Sequence, residues 1–264
     1  MGPEPTPSPE RLRKDNARLA RRISQLEGTL EAVEQIRDTN ARLLDRLTGE
    51  LEAERARSHG LLLNVLPQPI VDRLNAGEKL IADRYDDIAV VFSDFVGFTG
   101  ITERLPVASL VSSLNALFSA FDASCQALGV EKIKTIGDAY MAAAGLPGGR
   151  VDHVRAAAEL PLAMRAAVAA AGDPWQVRIG LHNGPVMAGV IGTTKFVYDL
   201  WGDAVNVASR LESTAPAGGI QVSGSVASAL EDAFELDPRG AVELKGKGAV
   251  ETYLLVGPRA GATA

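Results

Sequence analysis

The segment that constrains this chain most is Ile88-Ala89-Val90-Val91-Phe92-Ser93-Asp94-Phe95-Val96-Gly97-Phe98-Thr99. Its first half follows the turn-like Asp86-Asp87 and is a short run of apolar, mostly β-branched or aromatic residues, which predicts a strand buried on both faces. Asp94 falls where that strand should end. A carboxylate in such a place caps a turn as readily as it serves chemistry. The residues after it shift the balance: Gly97 permits close backbone approach, and a helix is expected to open near Thr99, setting free N–H groups beside the carboxylate. That combination suits a metal-bound polyphosphate. No Gly-x-x-x-x-Gly-Lys-Ser/Thr occurs, so a phosphate site here is not a P-loop.

Composition narrows the function classes. The formal net charge of −6 and the lack of basic runs interleaved with aromatics argue against nucleic-acid binding. A small anionic substrate then needs local cations or metal. One cysteine, Cys125, excludes an intrachain disulfide, and with only His59, His153 and His182 no Cys/His zinc site assembles. No apolar run approaches the length of a membrane span, and Met1-Gly2-Pro3-Glu4-Pro5-Thr6-Pro7 lacks the apolar core of a signal peptide. A soluble, cytoplasmic protein is the expectation. Gly2 and Thr6 formally fit a myristoylation pattern, which the intervening prolines and acid argue against.

Residues 1–10 are Pro-rich and expected to be disordered. From Leu12 to about Val65 there is no proline, and Leu12, Leu19, Ile23, Leu26, Leu30, Val33, Leu44, Leu47, Leu51, Leu61 and Val65 recur in steps of three and four. Asn16, Arg37, Asn40, Glu54 and Ser58 interrupt this heptad seam and would fix its register. The alternative is a single solvated helix. A parallel two-stranded coil over 11–66 is the expectation, extending on the order of 80 Å. Pro67 and Pro69 interrupt it, residues 67–87 form a linker with one short helical turn at Ile70–Leu74, and a globular domain is expected over 88–257, with a disordered tail at 258–264.

Within the domain the pattern predicts a strand to Phe92, a helix from Pro106 to Leu128, strands Val130 to Ile136 and Asp138 to Ala144, and an alanine-rich helix from about Val151 to Ala170. Strands Val177 to Leu181 and Val186 to Ile191 follow, then a helix from Ala204 to Glu212 and smaller elements. That order is the split βαβ, ferredoxin-like α+β arrangement.

Three places carry polar groups that packing does not require. Lys134 and Asp138 flank Gly137, where a strand's period of two puts both on one face and a hairpin turn alone would explain the aspartate. Tyr198-Asp199-Leu200-Trp201-Gly202-Asp203 reads equally as a plain turn. Asn206 and Arg210 stand four apart on a helix, and so on one face, an arrangement also common on solvated surfaces.

Taken in order and spacing, these segments resemble the catalytic domain of the class III nucleotidyl cyclases. The resemblance runs from about Leu62 to Val256. It includes Asn64-Val65-Leu66-Pro67, the Phe92–Thr99 stretch, Lys134–Asp138, Tyr198–Arg210 and Leu244-Lys245-Gly246-Lys247-Gly248. It implies that Asp94 and Asp138 hold two divalent cations, Mg²⁺ or Mn²⁺, on a triphosphate. One would acidify the ribose 3′-hydroxyl and the other would neutralise the leaving pyrophosphate. Arg210 would stabilise charge on the α-phosphoryl group and Asn206 would orient the ribose. Phe95, Val96, Gly97, Phe98 and Thr99, with Lys245 or Lys247, would contact phosphate.

Lys134 and Asp199 match the pair that reads the purine edge. A lysine donor and an aspartate acceptor suit adenine, whereas guanylate-forming relatives usually carry a glutamate and a smaller residue there, so the chain reads as an adenylate cyclase acting on ATP. All six side chains occur in one chain and the family builds its sites between two domains, which implies a head-to-tail homodimer. It also implies that Lys134 and Asp138 of one chain serve different sites, despite sharing a strand face. An upstream sensor or membrane domain is a further implied partner. The competing readings are a guanylate-type cyclase, a diguanylate cyclase, whose Gly-Gly-Asp/Glu-Glu-Phe hairpin Gly137-Asp138-Ala139-Tyr140 does not fit, and a catalytically silent coiled-coil interaction module. The last usually lacks a metal aspartate or the arginine, and neither is missing here.

Overall fold

The structure is a computed structural model that describes residues 8–147, 152–192 and 194–259. The chain divides between Leu62 and Leu63 into two compact units. The first is one helix, α1 (Pro9–Leu63), none of whose residues is buried. Its seam leucines, isoleucine and valine from Leu12 to Leu61 are 47% to 64% exposed, as are Ile36 and Leu43 beside them. The expected disorder over 1–10 lies outside the described residues up to Pro7, while Pro9 and Glu10 already belong to α1.

The second unit opens with α2 (Gln68–Asn75), whose first turn uses Pro69 where no helical N–H is required and which buries Ile70 and Val71. β1 (Ala82–Phe95) then starts earlier than Ile88, so residues 67–87 hold a helix and half a strand packed into the unit. There follow α3 (Phe98–Arg104), α4 (Val107–Leu128), β2 (Glu131–Ile136), β3 (Ala139–Ala144), α5 (His153–Ala171), β4 (Val177–Ile191), β5 (Val197–Trp201), α6 (Asp203–Thr214), β6 (Ile220–Ser223), α7 (Gly224–Leu230), β7 (Phe234–Leu244) and β8 (Gly248–Pro258).

Two expected strands at Val177 and Val186 are one continuous strand, because Asn183 and Gly184 stay paired with β1 and the pairing resumes at Val186 after a register shift. The segment at Tyr198, equally readable as a turn, is a strand paired to β4. The expected start of α5 at Val151 lies outside the described residues, as do residues 260–264 of the tail; Pro258 still belongs to β8. By length and composition α4 could cross a membrane, contrary to the expectation that no such run exists. Here it packs Leu117, Phe121 and Cys125 into the core.

The strands form one sheet in the order β2-β3-β1-β4-β6-β8-β7, with β5 attached to β4. Alternation along β1 and β4 divides the faces. Ala89, Val91 and Phe95 of β1 and Val177, Ile179 and Leu181 of β4 join the main core with α4, α5 and α7. Asp94 and Arg178 belong to the other face, as does Gly180, and there α6 lies on β4. A Cβ built on Gly180 would stand 2.2 Å from the Glu212 nitrogen and 2.3 Å from the Ala208 carbonyl oxygen. Only glycine allows this approach. Gly180→Ala is therefore expected to destabilise the fold by at least about 3 kcal/mol, the upper range for overpacking, because the opposing atoms are backbone. A shifted urea midpoint checks this, and an unchanged one would refute the contact.

Candidate active site

Asp94 ends β1 and pairs in register with Arg178 of β4, so cross-strand geometry alone sets the two side chains together. Arg178 Nη2 donates to Asp94 Oδ2 at 3.1 Å, and its Nε lies 3.3 Å from Glu212 Oε1 of α6, an ion pair without hydrogen-bond alignment. Asp138 sits in the turn between β2 and β3, where Gly137 takes φ 65°. Since β3 pairs with β1 as far as Ser93 and Tyr140, that turn delivers Asp138 beside Asp94. Burial first, and then the charge of Asp94, raise the Asp138 carboxyl above its usual range, while the N–H groups of Asp138 and Phe95 act in the opposite sense. Two oxygen-donor carboxylates crowded in this way, with a backbone glycine turn beside them, fit a hard divalent cation that also takes phosphate oxygens. Among the described residues no group of three or more His, Cys, Asp or Glu side chains that could hold a metal ion occurs, so further donors would be backbone carbonyls, substrate or water.

The second pair lies elsewhere. Lys134 of β2 donates from Nζ to Asp199 Oδ2 of β5 at 2.5 Å, and Asp199 Oδ1 accepts the Leu200 N–H at 2.8 Å. The sheet must curl to do this, because β2 ends the strand order while β5 hangs from β4. Lys134 thus turns to β5 and Asp138 to Asp94, and the hairpin that carries both sends them to separate clusters.

Asn206 and Arg210 share the face of α6 opposite its buried Ala204, Val207, Ala208 and Leu211. Among the described residues neither side chain makes a hydrogen bond or ion pair. The Arg210 guanidinium lies along the turn between β7 and β8, about where a Cβ on Gly246 would be 3.9 Å from it. From that turn Lys247 forms an ion pair with Asp203 at the start of α6, whereas Lys245 is exposed.

The Phe95–Thr99 segment divides. The Phe95 ring is buried against Phe118, Phe121 and Trp175, and the Val96 N–H donates to the Gln176 carbonyl at 2.9 Å. Gly97 caps α3 with φ 67°, and the first-turn N–H groups at Phe98 and Thr99 have no helical acceptor.

Arg178 and Glu212 were missed in the sequence. The available signal was a charge inside the apolar run Val177-Arg178-Ile179, and an acid two residues past Arg210, on the buried side of its helix. Burial, together with the charges of Asp94 and Asp138 and against that of Arg178, pushes Glu212 up to about 7. The folded protein then holds a proton that the unfolded chain releases near 4.5. Stability is expected to fall as pH rises from about 4.5 to 7, and to fall less in Glu212→Gln. Urea midpoints across that window without divalent cations check this; parallel curves for parent and variant would refute it.

An adenylate cyclase of Mycobacterium tuberculosis is 46% identical over 222 residues, covering 82% of this chain and 50% of that protein, so the chain spans half the length of this curated relative. The crystal structure of a guanylate cyclase domain from Catenaria anguillulae in complex with GTP superposes with a TM-score of 0.64 at 37% identity, covering 67% of this chain and all of that one. The adenylyl cyclase CyaB from P. aeruginosa gives 0.64 at 28% identity, covering 69% and 99%. The family model described as the adenylate and guanylate cyclase catalytic domain matches residues 80–257, and the chain belongs to that family, the class III nucleotidyl cyclases.

Proposed function

We propose that this chain is an adenylate cyclase, converting ATP to 3′,5′-cyclic AMP and pyrophosphate at sites shared between two copies. The observation that carries the choice of ATP is the Lys134–Asp199 ion pair. Relatives named for either nucleotide have this fold, so the base must be read by side chains. A lysine donates to a purine ring nitrogen and an aspartate accepts from the exocyclic amine of adenine. Guanine presents a carbonyl there and would leave the aspartate unpaired.

Asp94 and Asp138 are the residues that would hold divalent cations, Mg²⁺ or Mn²⁺. The chemistry such cations supply when bound is acidification of the ribose 3′-hydroxyl and neutralisation of the leaving pyrophosphate. Asn206 holds the ribose so that its 3′-oxygen faces the α-phosphorus, and Arg210 donates to the phosphoryl oxygens as charge builds. The N–H groups at Phe98 and Thr99 and the ammonium groups of Lys245 and Lys247 serve the triphosphate, with Lys247 held nearer α6 by Asp203.

The separation of Asp94 and Asp138 from Lys134 and Asp199 supports a composite site, each copy giving its carboxylates to one site and its readers, Asn206 and Arg210 to the other. The exposed seam of α1 supports a parallel coil that holds the copies together, since a lone helix does not keep such a stripe in water. With ATP as substrate we place the domain in the cytoplasm, with an upstream sensor or membrane domain as a further partner.

Product analysis with ATP and GTP, each with Mg²⁺ and with Mn²⁺, tests the activity; cyclic AMP from ATP is expected, and cyclic GMP as the main product would overturn the assignment. Lys134→Glu combined with Asp199→Cys is expected to lower ATP turnover at least about tenfold, since each change removes a hydrogen-bond partner of the base. Parental turnover would refute the adenine assignment.

Asp94→Ala and Arg210→Ala should each silence both sites of their own homodimer. After subunit exchange between the two variants, half the dimers are mixed and each carries one intact site, so about a quarter of parental activity is expected. Background activity after exchange is verified by a tag would exclude the shared site.

A further inference from the structure

The aspartate assigned to the base is held from behind by groups with no part in the chemistry. Arg73 of α2 binds two acids at once. Its Nε donates to Glu78 Oε2 at 2.8 Å, its Nη2 to Glu78 Oε1 at 2.7 Å and to Asp83 Oδ1 at 3.2 Å, and its Nη1 contacts Asp83 Oδ2. Asp83 lies in β1 next to Ala82. Ala82 is opposite Gly189 of β4, and Gly189 is opposite Asp199 of β5. This crossing is tight: a Cβ on Gly189 would stand 2.6 Å from the Ile81 carbonyl oxygen, which accepts the Val190 N–H at 3.1 Å. The backbone of Asp199 is therefore fixed, through one intervening strand, to the stretch of β1 that Arg73 ties to α2.

Tyr198 provides a second tie. It points to the opposite side of β5 from Asp199, is 5% exposed, and faces a cavity of about 100 Å³ shared with Ile70 and Arg73 of α2, Tyr85 of β1 and Glu131 of β2. Burial, then Tyr85, Asp83 and Glu131, raise its phenol above the ordinary value, as expected of a hydroxyl placed beside the ion-paired acids of this corner. The same cavity thus touches β5, which carries Asp199, and β2, which carries Lys134.

Resting on the assignment of Lys134 and Asp199 to the adenine edge, we propose that Arg73 and Tyr198 are positioning residues that set the place of Asp199 against the base, so that the seat of α2 on β1 and β5 determines selectivity for adenine. A displacement of about 1 Å in a hydrogen-bonding group is enough to change turnover by orders of magnitude. Arg73 and Tyr198 touch no part of the nucleotide in this proposal; they act only through Asp199.

The test compares ATP with purine riboside 5′-triphosphate, which lacks the exocyclic amine that Asp199 would accept from. Steady-state kcat/KM is measured for both with Mn²⁺ in the full chain and in Arg73→Ala, Arg73→Lys, Tyr198→Leu and Asp199→Ala. Asp199→Ala should collapse the preference for ATP. Arg73→Ala is expected to lower that preference about fivefold or more while changing kcat/KM for the purine riboside nucleotide less than twofold, with Arg73→Lys recovering part of it. Arg73 is on the rim of the domain, with a side chain 32% exposed, so its replacement leaves the core in place; Tyr198→Leu probes the same tie from within. Equal losses on both nucleotides overturn the positioning role, as does a parental preference in both Arg73→Ala and Tyr198→Leu beside a collapsed one in Asp199→Ala. A parental preference in Asp199→Ala itself overturns the adenine assignment, and the positioning role with it.

Discussion

The architecture of the site depends on the approach of α6 to β4 at Gly180. A helix on a sheet normally stands off by the thickness of two side-chain layers, but here the Glu212 nitrogen and the Ala208 carbonyl occupy the space a methyl group would take. The consequence is electrostatic as much as steric. With α6 lowered onto the strand, Glu212 reaches Arg178, and Arg178 reaches Asp94 at the end of β1. The same helix turns Asn206 and Arg210 outward, away from the buried Val207 and Leu211. One missing side chain thus lets a single helix serve the carboxylate cluster from its inner face and present Asn206 and Arg210 from its outer one.

The two clusters handle charge differently. Asp94 and Glu212 share one guanidinium, that of Arg178, with Asp138 beside Asp94, and burial raises Asp138 and Glu212 above their usual range. Such a cluster is under-compensated, and positive charge brought by a ligand lowers its energy. Lys134 and Asp199 neutralise one another at 2.5 Å. A neutral purine can enter between such a pair without leaving net charge behind, which is the behaviour required of base recognition and not of phosphate binding.

What the sequence disclosed follows from how local each signal is. The buried half of β1 from Ile88, Asp94 near its end and the hairpin at Gly137-Asp138 rest on short-range pattern, and the structure has them where the pattern puts them, although β1 itself begins at Ala82. The joined strand β4 was not legible, because Asn183-Gly184-Pro185 has turn chemistry and only pairing with β1 holds it extended. Arg178 and Glu212 were invisible for a related reason. Each is an ordinary charged residue until a register between β1 and β4 and a glycine contact under α6 bring them together. The split of Lys134 and Asp138 between two clusters contradicts a face argument based on period two, since Asp138 lies past the end of β2 in a turn where Gly137 takes φ 65°, and the sheet curls to meet β5.

That curl bears on how one fold serves two nucleotides. A guanylate cyclase domain with bound GTP and the adenylyl cyclase CyaB both superpose on this backbone, so the sheet carries no preference of its own. In the proposed function preference resides in Lys134 and Asp199, two side chains on strands that belong to different parts of the sheet and meet only because it closes on itself. Their separation is set by whatever holds β5 against β2 and β1: the Gly189 crossing, Tyr198 in its cavity and the Arg73 ion pairs on Asp83. A hydrogen bond tolerates a few tenths of an ångström before its energy falls steeply. On that proposal, discrimination between an amine and a carbonyl at one ring position depends on the rigidity of this corner as much as on the identity of Asp199.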